Sequence, residues 1–152
     1  MNRSRRNVTS VRNSSEDQTE VNPLIPEGSY LARCVSYKLF TAWGEPKLEL
    51  LFQITDLGAY FETNVSRYYT VKRLSKKGGF KPMTRTCGLM IEWFRCHPET
   101  PRSQRHDRLP MTKWLDGEYR IEVATVTKNF RQQSLPAQLQ YSRVREILGR
   151  AS

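Results

Sequence analysis

No apolar run in the 152-residue chain exceeds about four residues. A helix needs roughly 20 to cross a bilayer, so an integral membrane protein is not expected. Cysteine and histidine are scarce, at three and two residues. Cys34, Cys87 and Cys96 offer no paired framework, which suits a reducing cytoplasm. Cys87, Cys96, His97 and His106 lie close in sequence, but the C-x8-C-H-x8-H spacing lacks the tight knuckle of structural zinc sites. No metal and no cofactor is therefore expected. The basic N-terminus is followed by no apolar segment, so no secretory signal is expected. Without one, the sequons at Asn7, Asn13 and Asn64 carry no information. Acidic residues are also few: 15 Asp and Glu face 25 Lys and Arg, a net charge of +10. That excess favours a polyanionic partner.

Aromatics, by contrast, are plentiful (3 Trp, 7 Tyr and 6 Phe) and suffice for one compact core. Residues 1–22 contain none of them and are rich in Ser, Asn, Arg and Glu, which reads as a disordered arm. Four Arg there face three acids, so the arm carries +1 and the rest of the chain +9. Residues 23–149 are read as one domain. Its first strand is expected over 29–40, with Leu31, Val35 and Leu39 on one face. A turn at Trp43-Gly44-Glu45-Pro46 follows. Residues 47–55 are the clearest strand, because Leu48, Leu50, Phe52 and Ile54 alternate with polar neighbours. A third β-rich run covers 61–71, and residues 74–82 read as a basic loop with no regular structure. Cys87, Met90, Ile91 and Phe94 recur at helical spacing within 84–95. A polar surface loop is expected over 97–107, and a fourth strand over 118–128 with a bulge at 124–126. Residues 139–148 suit a closing strand or a helical turn equally. Five strands with a helix between the third and fourth is the layout of the OB-fold, a Greek-key barrel that binds oligonucleotides. An SH3-like barrel or an irregular α+β sheet would fit the same string.

The most informative feature is a charge run. From Arg67 to Arg85 there are seven basic residues and no acid, interleaved with Tyr68, Tyr69 and Phe80. Unpaired nucleic acid calls for this combination, since cations follow the phosphates and flat rings stack on bases. The expected phosphate contacts are Arg67, Lys72, Arg73, Lys76, Lys77 and Lys81, with Tyr68 as a stacking ring and Tyr69 turned into the core. A second cluster at the first turn, Tyr37, Lys38, Phe40, Trp43 and Lys47, offers Trp43 as a platform or as a plug of the barrel. A third, Lys128, Asn129, Phe130 and Arg131, falls in the connection between the last two strands, with Phe130 expected exposed as a further stacking ring. Trp93 and Trp114 are assigned to packing. An enzyme is not expected. Lys76-Lys77-Gly78-Gly79 lacks the spacing of a phosphate-binding loop, no nucleophilic triad is suggested, and Asp56, Glu92, Asp107 and Asp116 are not spaced as a metal-dependent nuclease site.

Two segments, Ile25-Pro26-Glu27-Gly28-Ser29-Tyr30-Leu31-Ala32-Arg33 and Lys47-Leu48-Glu49-Leu50-Leu51-Phe52-Gln53-Ile54-Thr55, resemble the opening of small phage- and plasmid-encoded proteins related to single-stranded-DNA-binding proteins. Gly117-Glu118-Tyr119-Arg120-Ile121-Glu122-Val123, Leu135-Pro136 and Tyr141-Ser142-Arg143-Val144 are similar to their last two strands. The resemblance covers most of 24–148. It implies an OB-like fold, no catalytic residues, and service in replication, recombination or repair on a mobile element. Its partners would be single-stranded nucleic acid (DNA favoured over RNA), with room for a homo-oligomer and for replication or recombination proteins. The chain ends Leu148-Gly149-Arg150-Ala151-Ser152, without the acidic tail of the bacterial single-stranded-DNA-binding protein, so recruitment through such a tail is not expected. A protein-interaction module, such as an accessory subunit or inhibitor of a nucleic-acid enzyme, is the alternative.

Overall fold

The computed structural model describes residues 24–151 except 85, 102, 106–108 and 130. The expected arm, residues 1–22, lies outside the described residues. Strand β1 (Gly28–Ala42) turns into β2 (Glu45–Ile54), which is followed by β3 (Asn64–Thr70). A small hairpin, β4 (Arg73–Leu74) and β5 (Phe80–Lys81), then leads to helix α1 (Gly88–Cys96). A 3-10 turn at Met111–Asp116 precedes β6 (Glu118–Val126), and a second at Ala137–Leu139 precedes β7 (Tyr141–Arg150). Five strands form one antiparallel sheet in the order β3-β2-β1-β6-β7.

The alternation read in β2 sets the inner face: Leu48, Leu50, Phe52 and Ile54 are all buried. Tyr119, Ile121 and Val123 of β6 and Val144 and Ile147 of β7 join them, with Val65 and Tyr69 of β3. Helix α1 covers this face with Leu89, Met90, Trp93 and Cys96. Trp93 and Trp114 are both fully buried, with ring centroids 5.4 Å apart. Burying side chains of this size supplies much of the hydrophobic stabilisation of so short a chain.

The two edge strands, β3 and β7, approach each other but share no ladder. The fold is therefore mainly β, as expected, while the closed five-stranded barrel is not found among the described residues. Side chains of α1 fill the seam instead. Glu92, 3% exposed, accepts hydrogen bonds from Arg67 (Nε to Oε1, 3.0 Å; Nη2 to Oε2, 2.6 Å), from the Tyr69 hydroxyl at 2.6 Å and from the Ile147 amide at 3.3 Å. Arg95 donates to the Ile147 carbonyl at 2.8 Å and to Glu146 at 2.6 Å. Both backbone groups of Ile147 are thus satisfied without a partner strand, which blunts that edge.

Several local expectations are corrected. A bulge between Cys34 and Ser36 reverses the phase of β1, so Ala32 and Cys34 point inward before it and Leu39 faces Leu48 after it. Leu31 and Val35 therefore do not share Leu39's face. The bulges at β6 and β7 fall between Arg120 and Ile121 and between Glu122 and Val123, upstream of the expected slip. Residues 74–82, read as irregular, include the β4–β5 hairpin, closed by Gly78 at φ 83. Helix α1 begins at Gly88, four residues later than expected, and Ile91 is 49% exposed. His97, placed in a surface loop, is fully buried, its ring 4.3 Å from Trp93 and 4.9 Å from Trp114. Residues 141–150 are a strand throughout.

Candidate nucleic-acid interface

The outer side of β1-β2-β3 is built from the residues that alternate with the core set. Register places Lys38, Glu49 and Tyr68 in one row and Phe40, Lys47 and Thr70 in the next. Phe40 and Tyr68 meet edge to face with centroids 6.4 Å apart, and the Lys38 ammonium stands 5.2 Å from the Phe40 centroid. Such a pair contributes about 0.5–1.5 kcal/mol beyond its burial, which fixes the rings in place. Glu49 is the one acid in these two rows. Lys38 lies 3.6 Å from it and the Ser66 hydroxyl donates to it. Burial, and then the Glu49 carboxylate, push the Tyr68 phenol above its ordinary pKa, so this ring is neutral at physiological pH.

Directly after β3 the chain enters the basic hairpin. The Val71 amide donates to the Pro46 carbonyl at 3.0 Å, which holds the start of the hairpin beside the start of β2. Arg73 and Lys81 face each other across β4 and β5, and the Ser75 hydroxyl accepts the Gly79 amide at the tip. Lys72, Arg73, Lys76 and Lys77 are exposed and Lys81 is half-buried. Among the described residues none of the five stands in an ion pair.

Arg67, the first residue of the charge run, differs. It is turned to the seam, where Glu92 takes two of its N–H groups and its guanidinium lies 4.4 Å from the Tyr69 centroid. Its position on β3 puts it on the inward side with Val65 and Tyr69, so the charge count placed it with the phosphate contacts and the structure does not. Tyr69 is buried and Tyr68 is 38% exposed, the orientation expected for the pair. Of the nuclease candidates, Asp56 accepts the Leu31 amide at 2.8 Å and Glu92 is held in the seam. Asp107 lies outside the described residues.

Trp43 sits at the tip of the β1–β2 turn and is 81% exposed, so it is not a plug. It lines a cleft of about 460 Å³ together with Lys128, Leu135, Leu139, Tyr141 and Arg143. Two of the clusters read separately in the sequence, the first turn and the last connection, are thereby brought together. No family model, curated protein or solved structure matches the chain. Phe130 lies outside the described residues, and Arg131 is exposed beside the cleft-lining Gln132. Tyr141 and Arg143, part of the last strand-like segment in the sequence, are not among the expected contact residues. Their spacing of two, with Ser142 and Val144 buried between and after them, is the signal that a strand assignment for 141–150 would have exposed.

Proposed function

We propose that the chain binds single-stranded DNA with little sequence preference, without catalysing a reaction. A strand lies along the β1-β2-β3 face. Its phosphates meet Lys72, Arg73, Lys76, Lys77 and Lys81, and its bases stack on Tyr68 and Phe40. The observation that carries this reading is the junction of five cations outside ion pairs, among the described residues, with the exposed Tyr68 and its half-buried partner Phe40 on one continuous hairpin-and-sheet surface. The order β3-β2-β1-β6-β7 supports it, being that of an OB-fold barrel opened between its third and fifth strands. Stacking of bases on aromatic rings is tolerant of sequence because every base presents a flat face. The resemblance of the sequence to small phage- and plasmid-encoded proteins related to single-stranded-DNA-binding proteins supports a role in replication, recombination or repair on a mobile element.

The test is fluorescence anisotropy with a labelled oligo-dT. About five phosphates neutralised on a single strand give a salt slope near −3.5, about a hundredfold loss of affinity between roughly 50 and 200 mM salt. No binding at low salt, or binding indifferent to salt, refutes the proposal. Competition by duplex DNA and by RNA identifies the preferred nucleic acid.

A further inference from the structure

We propose that copies of this chain associate head to tail, the β2–β3 loop of one copy seated in the cleft between the β1–β2 turn and the β6–β7 connection of the next. The inference goes beyond the strand-binding reading and does not depend on it. The first argument is the loop. Residues 55–66 contain Asp56 and Glu62 but no Lys or Arg, within a chain of net charge +10. On the same loop Leu57 is 88% exposed and Phe61 45%. One exposed leucine is ordinary on a protein surface, but here two apolar side chains share a braced turn. The Glu62 amide donates to the Ile54 carbonyl at 2.8 Å and the Ile54 amide to the Thr63 carbonyl at 2.9 Å. Within the tip the Phe61 amide donates to the Gly58 carbonyl and the Thr63 amide to the Tyr60 carbonyl. Glu62 takes φ 69, a left-handed conformation uncommon for a residue other than glycine. The knob is thus ordered before it docks, which lowers the cost of association. Asp56 is engaged by the Leu31 amide, whereas Glu62 is exposed and in no ion pair among the described residues. Glu62 is therefore the acid that meets a partner.

The second argument is the cleft. Leu135, Leu139 and Tyr141 give it an apolar wall, Lys128 and Arg143 supply positive charge, and no acid lines it among the described residues. Lys128 and Arg143 are exposed and, among the described residues, in no ion pair. An apolar hollow rimmed by cations is the complement of an apolar knob flanked by acids, and complementary charge orients such a contact. Its volume, about 460 Å³, falls in the range of sites that enclose a small group of atoms, about 300–1,000 Å³.

The third argument is placement. The loop and the cleft lie at opposite ends of β2, whose ten residues span about 30 Å. One copy cannot fill its own cleft, and a copy docked in a second leaves its own cleft open to a third. A contact between two different patches is heterologous and repeats into rings or open chains instead of stopping at a pair.

Sedimentation velocity of the full chain, freed of nucleic acid by nuclease and high salt, tests this. A contact of this kind belongs to the small, weak class, so the mass is followed from about 10 to 500 μM protein. It should climb past two copies at low salt and fall back as salt screens the charges. Leu57→Glu should remain a single copy with an unchanged unfolding temperature, since that side chain stands almost wholly in water. A charge swap decides the matter even where Leu57→Glu is unstable. Glu62→Lys alone and Arg143→Glu alone each set like charges against one another at the junction, and each should stay a single copy. Mixed in equal amounts, the altered loop of the first meets the altered cleft of the second with opposite charge, and the two unaltered sites also match, so growth should return. A wild-type chain that stays single at every concentration, or a mass that stops at two copies, overturns the proposal. So does a folded Leu57→Glu that associates like the wild type, or a mixture that stays single. No nucleic acid is present, so strand binding stands or falls separately on the anisotropy titration.

Discussion

Replacing Glu92 with alanine would remove one carboxylate and abandon three partners at once. Arg67, whose side chain is 17% exposed, would lose both of its carboxylate bonds. The Tyr69 hydroxyl and the Ile147 amide would lose their acceptor in a region closed to water. Breaking a buried ion pair from one side costs about 3–5 kcal/mol, and each orphaned neutral group adds up to about 1–3 kcal/mol. Partial relaxation of Arg67 towards solvent trims that sum, so a loss of about 4 kcal/mol is expected. Against a typical total of about 5–15 kcal/mol this is a large fraction. At about 2–4 °C per kcal/mol for a chain of this length, the unfolding midpoint should fall by about 8–16 °C. The decisive comparison is the pair Glu92→Leu with Arg67→Met. Replacing both charges with apolar side chains removes the desolvation penalty as well as the attraction, so the double variant should recover the ion-pair share of the loss, while the orphaned Tyr69 hydroxyl and Ile147 amide keep the remainder. Thermal unfolding followed by circular dichroism compares both variants with the unsubstituted chain. A loss below about 1 kcal/mol in Glu92→Ala, or a double variant as unstable as the single, would refute the view that Glu92 closes the seam.

Reversing Lys76 and Lys77 together to Glu should make the salt slope of oligonucleotide binding shallower by at least about 1.4, since each lost cation removes about 0.7; Arg67→Gln, measured in the same titration, should leave the slope unchanged. Alkaline pH should destabilise the fold. Burial pushes the Cys34 and Cys96 thiols from 9.0 up to about 12, and burial with the Glu92 carboxylate raises the Tyr69 phenol well above 10.0. The folded state keeps protons that the unfolded chain releases, so this stability is complete below about pH 9 and is lost as the pH rises towards 12. Urea midpoints taken at pH 8 and pH 10.5 should show the decline; equal midpoints would contradict it.

Where the chain obeys a simple period, the fold was legible. The alternation of Leu48, Leu50, Phe52 and Ile54 identified β2 and its inner face, and Tyr68 and Tyr69 took the opposite orientations that adjacent strand positions dictate. The bulge at Cys34 hid the inner face of β1, because one extra residue inverts every later position. A charge run counts charges but not their partners. Arg67 finds Glu92 25 positions away on a helix, a pairing that no local pattern carries. His97 sits among polar neighbours in sequence yet inside a nest of aromatic rings in space, contributed by a helix, a 3-10 turn and β6. The cleft behind Trp43 depends on two hairpin ends about 90 residues apart, and only the folded sheet brings them together.

The way β3 meets β7 has a bearing on how such a protein changes over generations. A backbone ladder would join two strands whatever side chains they carried, and substitutions would leave it largely intact. Here the joint consists of Arg67, Tyr69, Glu92 and Arg95, so its strength is written in a handful of codons. A single change in α1 can loosen it without altering either strand or the outer surface where Phe40 and Tyr68 lie. Loosened, it presents two bare strand edges of one molecule to those of another, the starting point for exchange of β7 between copies. The oligomeric behaviour of this chain is thus open to selection separately from that outer surface.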